Sequence, residues 1–187
     1  MNKSKEKIVQ QSKRWLCEAL MNLMSEGKSY TTITVKEISE KALLSRRTFY
    51  RHFKNKNELL KEYTLLLFND YFEIVLKNNP TSFKDVITIY FSFWNKNIEI
   101  LKCLKENGLF FTFVEQHNNL IENITVNILK FKSNWHNYDD YIDAQYMTLY
   151  SIGGLWIILS KWIDDPYRKP PTEMSDILIK AFKNFLN

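Results

Sequence analysis

Residues 32–60 read TITVKEISEKALLSRRTFYRHFKNKNELL, and the fold turns on how this stretch divides. Thr34-Val35-Lys36-Glu37 places a hydroxyl at an N-cap and a carboxylate three positions on, the reciprocal arrangement that starts a helix. Val35, Ile38 and Ala42 follow at helical spacing, and Ser45 starts a second helix after a tight connection, with Phe49 and Phe53 on its apolar face. Asn55-Lys56-Asn57-Glu58 repeats the capping form and opens a longer helix through Leu59, Leu60, Tyr63, Leu66 and Leu67. The helices over 34–41 and 45–52 are shorter than the roughly 12 residues an isolated helix needs. They must therefore pack on each other and on their flanks, and Ile38, Ala42, Leu44, Phe49 and Phe53 supply the contacts.

What remains on the second short helix is Arg46, Arg47, Thr48, Tyr50, Arg51 and His52. Three arginines, two hydroxyls and an imidazole make a poor core and a good surface for meeting duplex DNA. A helix fits the major groove, where arginine donates two bonds to guanine. Hydroxyls and helix N-termini bind phosphate oxygens. Lys56 adds positive charge where a helix dipole already favours an anion.

The order of residues in this run resembles the signature of the TetR/AcrR family of helix-turn-helix regulators, T-[IV]-x-x-I-[AS]-x-x-A-G-[VL]-S-x-x-T-[FIL]-Y-x-[HY]-F-x-x-K-x-x-L. The chain departs from it at Leu43, where the family has glycine in the turn. Either this turn avoids a positive φ or Leu43 is strained by about 1 kcal/mol. The resemblance implies that Ser45, Thr48, Tyr50 and His52 hold phosphates and that Thr34 and Lys56 anchor the backbone. It implies that Arg46 and Arg47 face the bases, with Arg51 beside them, and that Phe49, Phe53 and Leu59 are core.

Outward from this stretch, the charge agrees with an anionic partner for one part of the chain. Residues 1–63 hold 14 Lys and Arg against 7 Asp and Glu, whereas the remainder holds 12 against 14. The basic excess lies in the first third, and DNA or an acidic membrane surface would answer it. Upstream, Ile8, Trp15, Leu16, Ala19, Leu20 and Leu23 form the stripe of a first helix over 4–25, ended by Gly27. Downstream, helices are expected to about Asn78, from Ser82 through Trp94 and again through Ile98, Leu101 and Leu104 to a break at Asn107-Gly108, over 109–131, over 141–163, and over 172–185 with Thr172 or Ser175 as its cap. A polar loop is expected over 133–139. With four glycines and four prolines in 187 residues there is little punctuation for a sheet. The expected fold is all-α with about nine helices: a three-helix DNA-binding domain over 1–54 and a helical regulatory and dimerisation domain over 55–187.

The later part is rich in aromatics, 22 of the 28 falling after residue 63. Phe68, Phe72, Phe91, Trp94, Phe110, Phe113, Tyr146 and Tyr150 are candidates to line an apolar cavity, and the resemblance implies a small apolar or aromatic effector there. The helix over 141–163 is apolar on more than one face and carries Gly153-Gly154, which lets another helix approach. With the last helix it resembles the family's dimer-forming pair, implying an interface of Ile152, Gly153, Leu155, Leu159, Trp162, Ile177, Leu178, Ala181, Phe182 and Phe185. A homodimer suits a pseudo-palindromic operator, whose half-sites lie about 34 Å apart or a multiple of it.

No catalytic constellation stands out. His52, His117 and His136 are dispersed, no glycine-rich phosphate loop occurs, and no cofactor or metal is implied. Cys17 and Cys103 are too few for a disulfide framework, and Cys17 falls on an apolar stripe. With neither a signal segment nor a run of about 20 apolar residues, the expected setting is the cytoplasm, without a membrane partner. The reading is a DNA-binding regulator, a repressor released by an effector. Two other readings stay open: a regulator governed by a protein partner without a small ligand, and a helical module whose basic end binds membrane or protein.

Overall fold

The computed structural model describes residues 3–118 and 141–185. Among them the chain is helical throughout: α1 (Lys3–Ser25), α2 (Val35–Lys41), α3 (Arg46–His52), α4 (Lys56–Asn78), α5 (Phe83–Lys96), α6 (Ile98–Glu106), α7 (helical over 110–118), α8 (Tyr141–Asp164) and α9 (Pro171–Phe185). The all-α expectation holds. The expected stretch of helix beyond 118 and the polar loop over 133–139 lie outside the described residues.

The chain forms two compact units, one of Met1–Phe68 with Lys102–Gln116, the other of Asn69–Leu101 with His117–Asn187. In the first, α1 packs on α2 and α3, and α2 on α3. Leu16, Leu20, Ile38, Phe49 and Leu59 have no exposed surface. The α1 stripe is buried only in its second half: Ile8 is 62% exposed and Trp15 46%. Periodicity placed both with the core, but the short α2 and α3 cover only the later turns.

The local chemistry of α2 is as the sequence implies. Thr34 Oγ1 accepts from Glu37 N at 3.3 Å, and Thr34 N donates to Glu37 Oε2 at 2.9 Å, completing the box. The second box is only half formed. Asn55 Oδ1 accepts from Asn57 N and Glu58 N, but Glu58 Oε2 accepts from Lys54 N rather than from Asn55.

Three helices end in one pattern, in which a left-handed residue lets two amides turn back onto the last carbonyls. After α1, Gly27 N donates to Met24 O and Lys28 N to Leu23 O; after α6, Gly108 N donates to Lys105 O and Leu109 N to Leu104 O. After α2, Leu43 N donates to Glu40 O and Leu44 N to Ser39 O. The left-handed position is glycine in the first two (φ 90° and 68°) and Leu43 in the third (φ 55°). Of the two possibilities for this turn, the positive φ is the one realised, and its side chain is 92% exposed, with no burial to offset the strain.

In the second unit, α5 lies along α9, with Phe83 against Phe182 at 5.7 Å and Lys84 paired with Asp176 at 2.5 Å. Phe91 meets Trp162 edge-on at 5.3 Å. From α8, Leu155, Trp156, Leu159, Trp162 and Ile163 are buried, whereas Tyr146, Leu149, Tyr150 and Ile157 are exposed. α9 begins at Pro171, a residue whose missing N–H suits a first turn. Thr172 and Ser175 therefore sit inside the helix and not at its cap, and Ser175 Oγ donates to Thr172 O at 2.7 Å.

Replacing Leu43 with glycine removes the left-handed strain and loses no contact. Leu43→Gly is expected to stabilise the chain by roughly 0.5–1 kcal/mol after the flexibility of unfolded glycine is deducted, raising Tm by about 2 °C. Thermal unfolding followed by circular dichroism checks it.

Candidate nucleic-acid interface

α3 owes its orientation to its two ends and its buried ring. Ser45, extended at φ −77° and ψ 150°, caps it by accepting from Thr48 N at 3.0 Å. Phe49 is fully buried and lies 5.8 Å from Phe53. With that face inward, Arg46, Arg47, Tyr50 and Arg51 are exposed, and Thr48 is half-buried with its hydroxyl 3.0 Å from that of Ser45.

The surrounding charges are distributed to the same end. Lys28 pairs with Glu37 at 2.5 Å, Lys41 with Glu26 at 2.5 Å, and Lys36 with Glu40 at 3.9 Å. The Lys28 ammonium, hydrogen-bonded to Glu37, and the Thr34 backbone and hydroxyl hold that carboxyl down at about 2. Among the described residues no carboxylate pairs with Arg46, Arg47 or Arg51. The lysines flanking α2 are answered within the chain, and the guanidinium groups of α3 face outward.

Three expected phosphate contacts are placed otherwise. Lys56 Nζ donates to the carbonyls of Tyr30 (2.5 Å), Thr31 (2.9 Å) and Ile33 (3.0 Å), and lies 4.7 Å from the centre of the Tyr30 ring. An ammonium has three donors, so in this arrangement none is left for a phosphate. Its desolvation lowers its pKa. His52 turns its Nε2 inward, where that atom is buried and finds no partner among the described residues. Burial, then the charges of Arg51 and Lys13, lower its pKa. Thr34 is exposed, but its hydroxyl donates to Glu37 Oε2 at 2.8 Å. Ser45, Thr48, Tyr50 and the arginines remain on one outward face.

The aromatic residues expected around a cavity do not form one set. Phe68, Phe110 and Phe113 belong to the first unit, and Phe72, Phe91, Trp94, Tyr146 and Tyr150 to the second. Phe68 stacks on Phe113 at 5.2 Å, and Phe91 and Trp94 have no exposed surface. Tyr146 and Tyr150 are 69% and 60% exposed, and Phe72 is half-buried. An open concavity of about 420 Å³ lies elsewhere, on α1, lined by Glu6, Lys7, Gln10, Gln11 and Arg14. Cys17 is buried, and desolvation raises its thiol to about 12, as befits a small core residue.

Residues 16–63 match the model of the bacterial regulatory proteins of the tetR family, so this N-terminal part of the chain is a TetR-type helix-turn-helix domain. Over nearly its whole length it is similar to the HTH-type dhaKLM operon transcriptional activator DhaS of Lactococcus lactis subsp. lactis (strain IL1403), 24% identical over 184 residues that cover 91% of this chain and 90% of that one. It is 34% identical over 56 residues to the uncharacterized HTH-type transcriptional regulator YxbF of Bacillus subtilis (strain 168), covering 30% of this chain and 15% of that protein. A solved structure of the dihydroxyacetone kinase operon activator DhaS shares the fold, with a TM-score of 0.58 at 20% identity, covering 91% of this chain and 93% of that one. Among the described residues no helix is long and apolar enough to cross a membrane.

The buried pair of the second unit carries a pH signature. Trp156 Nε1 donates to His117 Nδ1 at 3.1 Å, and His117 is 5% exposed. That bond requires an unprotonated Nδ1, and burial lowers the imidazole from 6.5 to about 3. Below 6.5 the unfolded chain binds a proton that the native chain refuses, so stability falls as pH drops toward about 3. The expected slope from this group is about 1.4 kcal/mol per pH unit. In urea unfolding across pH 7 to 4, stability should fall more steeply in the parent than in His117→Gln by about this slope.

Proposed function

We propose that this chain is a homodimeric, sequence-specific DNA-binding regulator whose α3 reads the major groove. The observation that carries the reading is the outward face of α3: Arg46, Arg47 and Arg51 exposed, unanswered by any carboxylate among the described residues, beside Tyr50 and the Ser45–Thr48 hydroxyl pair. Arg46 and Arg47 near the helix start meet base edges, and Ser45, Thr48 and Tyr50 meet phosphates. The part over 1–54 reads DNA and the part over 55–187 dimerises and takes the signal.

Dimerisation is supported by only part of the set that the resemblance implies. Leu155, Leu159, Trp162 and Leu178 are buried within the single chain, Phe182 packs on Phe83, and Ile152 is half-buried; nothing is described of the Phe185 side chain. Of that set Gly153, Ile177 and Ala181 are exposed, and Tyr146, Tyr150 and Ile157 stand exposed with Gly153 along one face of α8. A Cβ added at Gly153 or Gly154 would meet nothing within 4 Å, which leaves room for a partner's helix to come close. This face is the proposed interface.

An effector, small and apolar or aromatic, bound among the aromatics of the later part would tilt α4 and reset the spacing of the two reading heads. To move occupancy decisively it must favour one state by several kcal/mol. The expected sign is repression. The relative similar over nearly the whole length bears the name of an activator, and that observation favours activation as the second reading. A reporter with the selected site upstream of, or overlapping, a promoter distinguishes the two.

Selection of bound duplexes from a random pool, with and without cell extract, tests the core of the proposal. A two-fold symmetric site is expected. Arg46→Ala with Arg47→Ala should weaken binding to that site by roughly 100-fold and weaken random duplex far less; equal losses would remove the base-reading role. Ile157→Asp should give a monomer by light scattering, with the chain still folded and half-site binding only.

A further inference from the structure

We infer that Lys56 and Asn107 are positioning residues for DNA binding, closing a polar belt that holds the entrance of α2 against the exit of α3. The two short helices are one insertion between residue 33 and residue 56, and the belt joins its two ends. From the exit side, Lys56 grips the carbonyls of Tyr30, Thr31 and Ile33, the last of these directly before the N-cap of α2. Asn57 Oδ1 accepts from the Tyr30 hydroxyl at 2.6 Å. Tyr30 is 8% exposed, so its polar atoms need these partners.

The third tie comes from a distant part of the chain. Asn107, at the end of α6, accepts from Tyr30 N through Oδ1 at 2.7 Å and donates through Nδ2 to Cys103 O at 2.9 Å. Both ends of the amide are engaged, and that fixes which way it faces. Asp at this place would lose the second bond and Ala both. The Tyr30 amide is thus anchored to the last turn of α6, held in turn by the Gly108 closure. None of these side chains needs to touch DNA to matter. They set where α3 begins and ends relative to α1 and α4.

The probes are the duplex that the parent protein selects and a random duplex of equal length. Lys56→Met removes the charge and keeps the stem. A lost phosphate contact would reduce the slope of log affinity against log salt by about 0.9; a lost belt leaves the slope unchanged while affinity falls. Asn107→Ala, with no charge at stake, is expected to weaken binding to the selected duplex about tenfold and to speed hydrogen exchange at the Tyr30 amide. The two losses should be less than additive, because both variants release the same tyrosine. Should Asn107→Ala melt below the assay temperature, Tyr30→Phe opens the belt at Asn57 and the same direction of change is expected. Faster Tyr30 exchange with affinity within twofold of the parent, or a salt slope reduced by a unit in Lys56→Met, would overturn the inference.

Discussion

Two helices of seven residues each cannot hold their own shape, and the DNA-reading end of this chain is organised around that constraint. Their hydrogen-bond ladders are too few to offset the cost of starting a helix. Stability must come from the ends and from one buried face. Thr34 and Ser45 satisfy the first amides, Ile38 and Phe49 are sealed from solvent, and Lys56 with Asn57 joins the segment's two ends. Because support comes from the inner face and the termini, the outer face of α3 carries no structural duty. That is why three arginines can stand there without partners among the described residues.

What the sequence made legible followed from how local each interaction is. The capping box of Thr34 and Glu37, and the Ser45 cap, span three residues and are readable as a pattern. The buried Phe49 and Phe53 follow from helical spacing. Leu43 at a position of positive φ was half legible: the odd residue was visible, but only the backbone decides which torsion it adopts. Lys56 engages carbonyls where the resemblance implies a phosphate, and the reason is physical. A lysine in the first turn of a helix looks the same in sequence whether it faces a phosphate or neighbouring carbonyls, and carbonyls belong to every residue. The tie from Tyr30 to Asn107 joins a backbone amide to a side chain 77 residues away, and no spacing rule reaches that far.

α8 shows a second limit of periodicity. When a helix is apolar on several faces, spacing reveals the apolar stripes but does not say which of their residues turn inward. Leu155, Leu159 and Trp162 were grouped as an interface and are core; Tyr146 and Tyr150 were grouped as cavity lining and stand exposed. The aromatic wealth of the later part works first as packing, with Tyr90, Trp94 and Trp156 in edge-on or tilted contact at 5.2 to 6.2 Å. Such pairs stabilise through area and quadrupole geometry alone. Among the described residues Phe91, Trp94 and Phe113 are fully enclosed by that packing.

The distribution of charge within the first third makes a last distinction. Its excess of basic residues attracts any polyanion, but attraction alone does not orient a protein on a duplex. Around α2 the lysines are matched to glutamates at 2.5 Å and 3.9 Å, and a matched pair contributes little field at a distance. The unmatched cations on α3 are guanidinium groups, whose planar donors suit base edges and not only phosphates. Local pairing thus concentrates the chain's reach for DNA on the element shaped to enter the groove, and the polar belt keeps that element aimed. Affinity from charge and specificity from geometry arise at the same few residues, which is why a neutral asparagine in a turn after α6 bears on how tightly a polyanion is held.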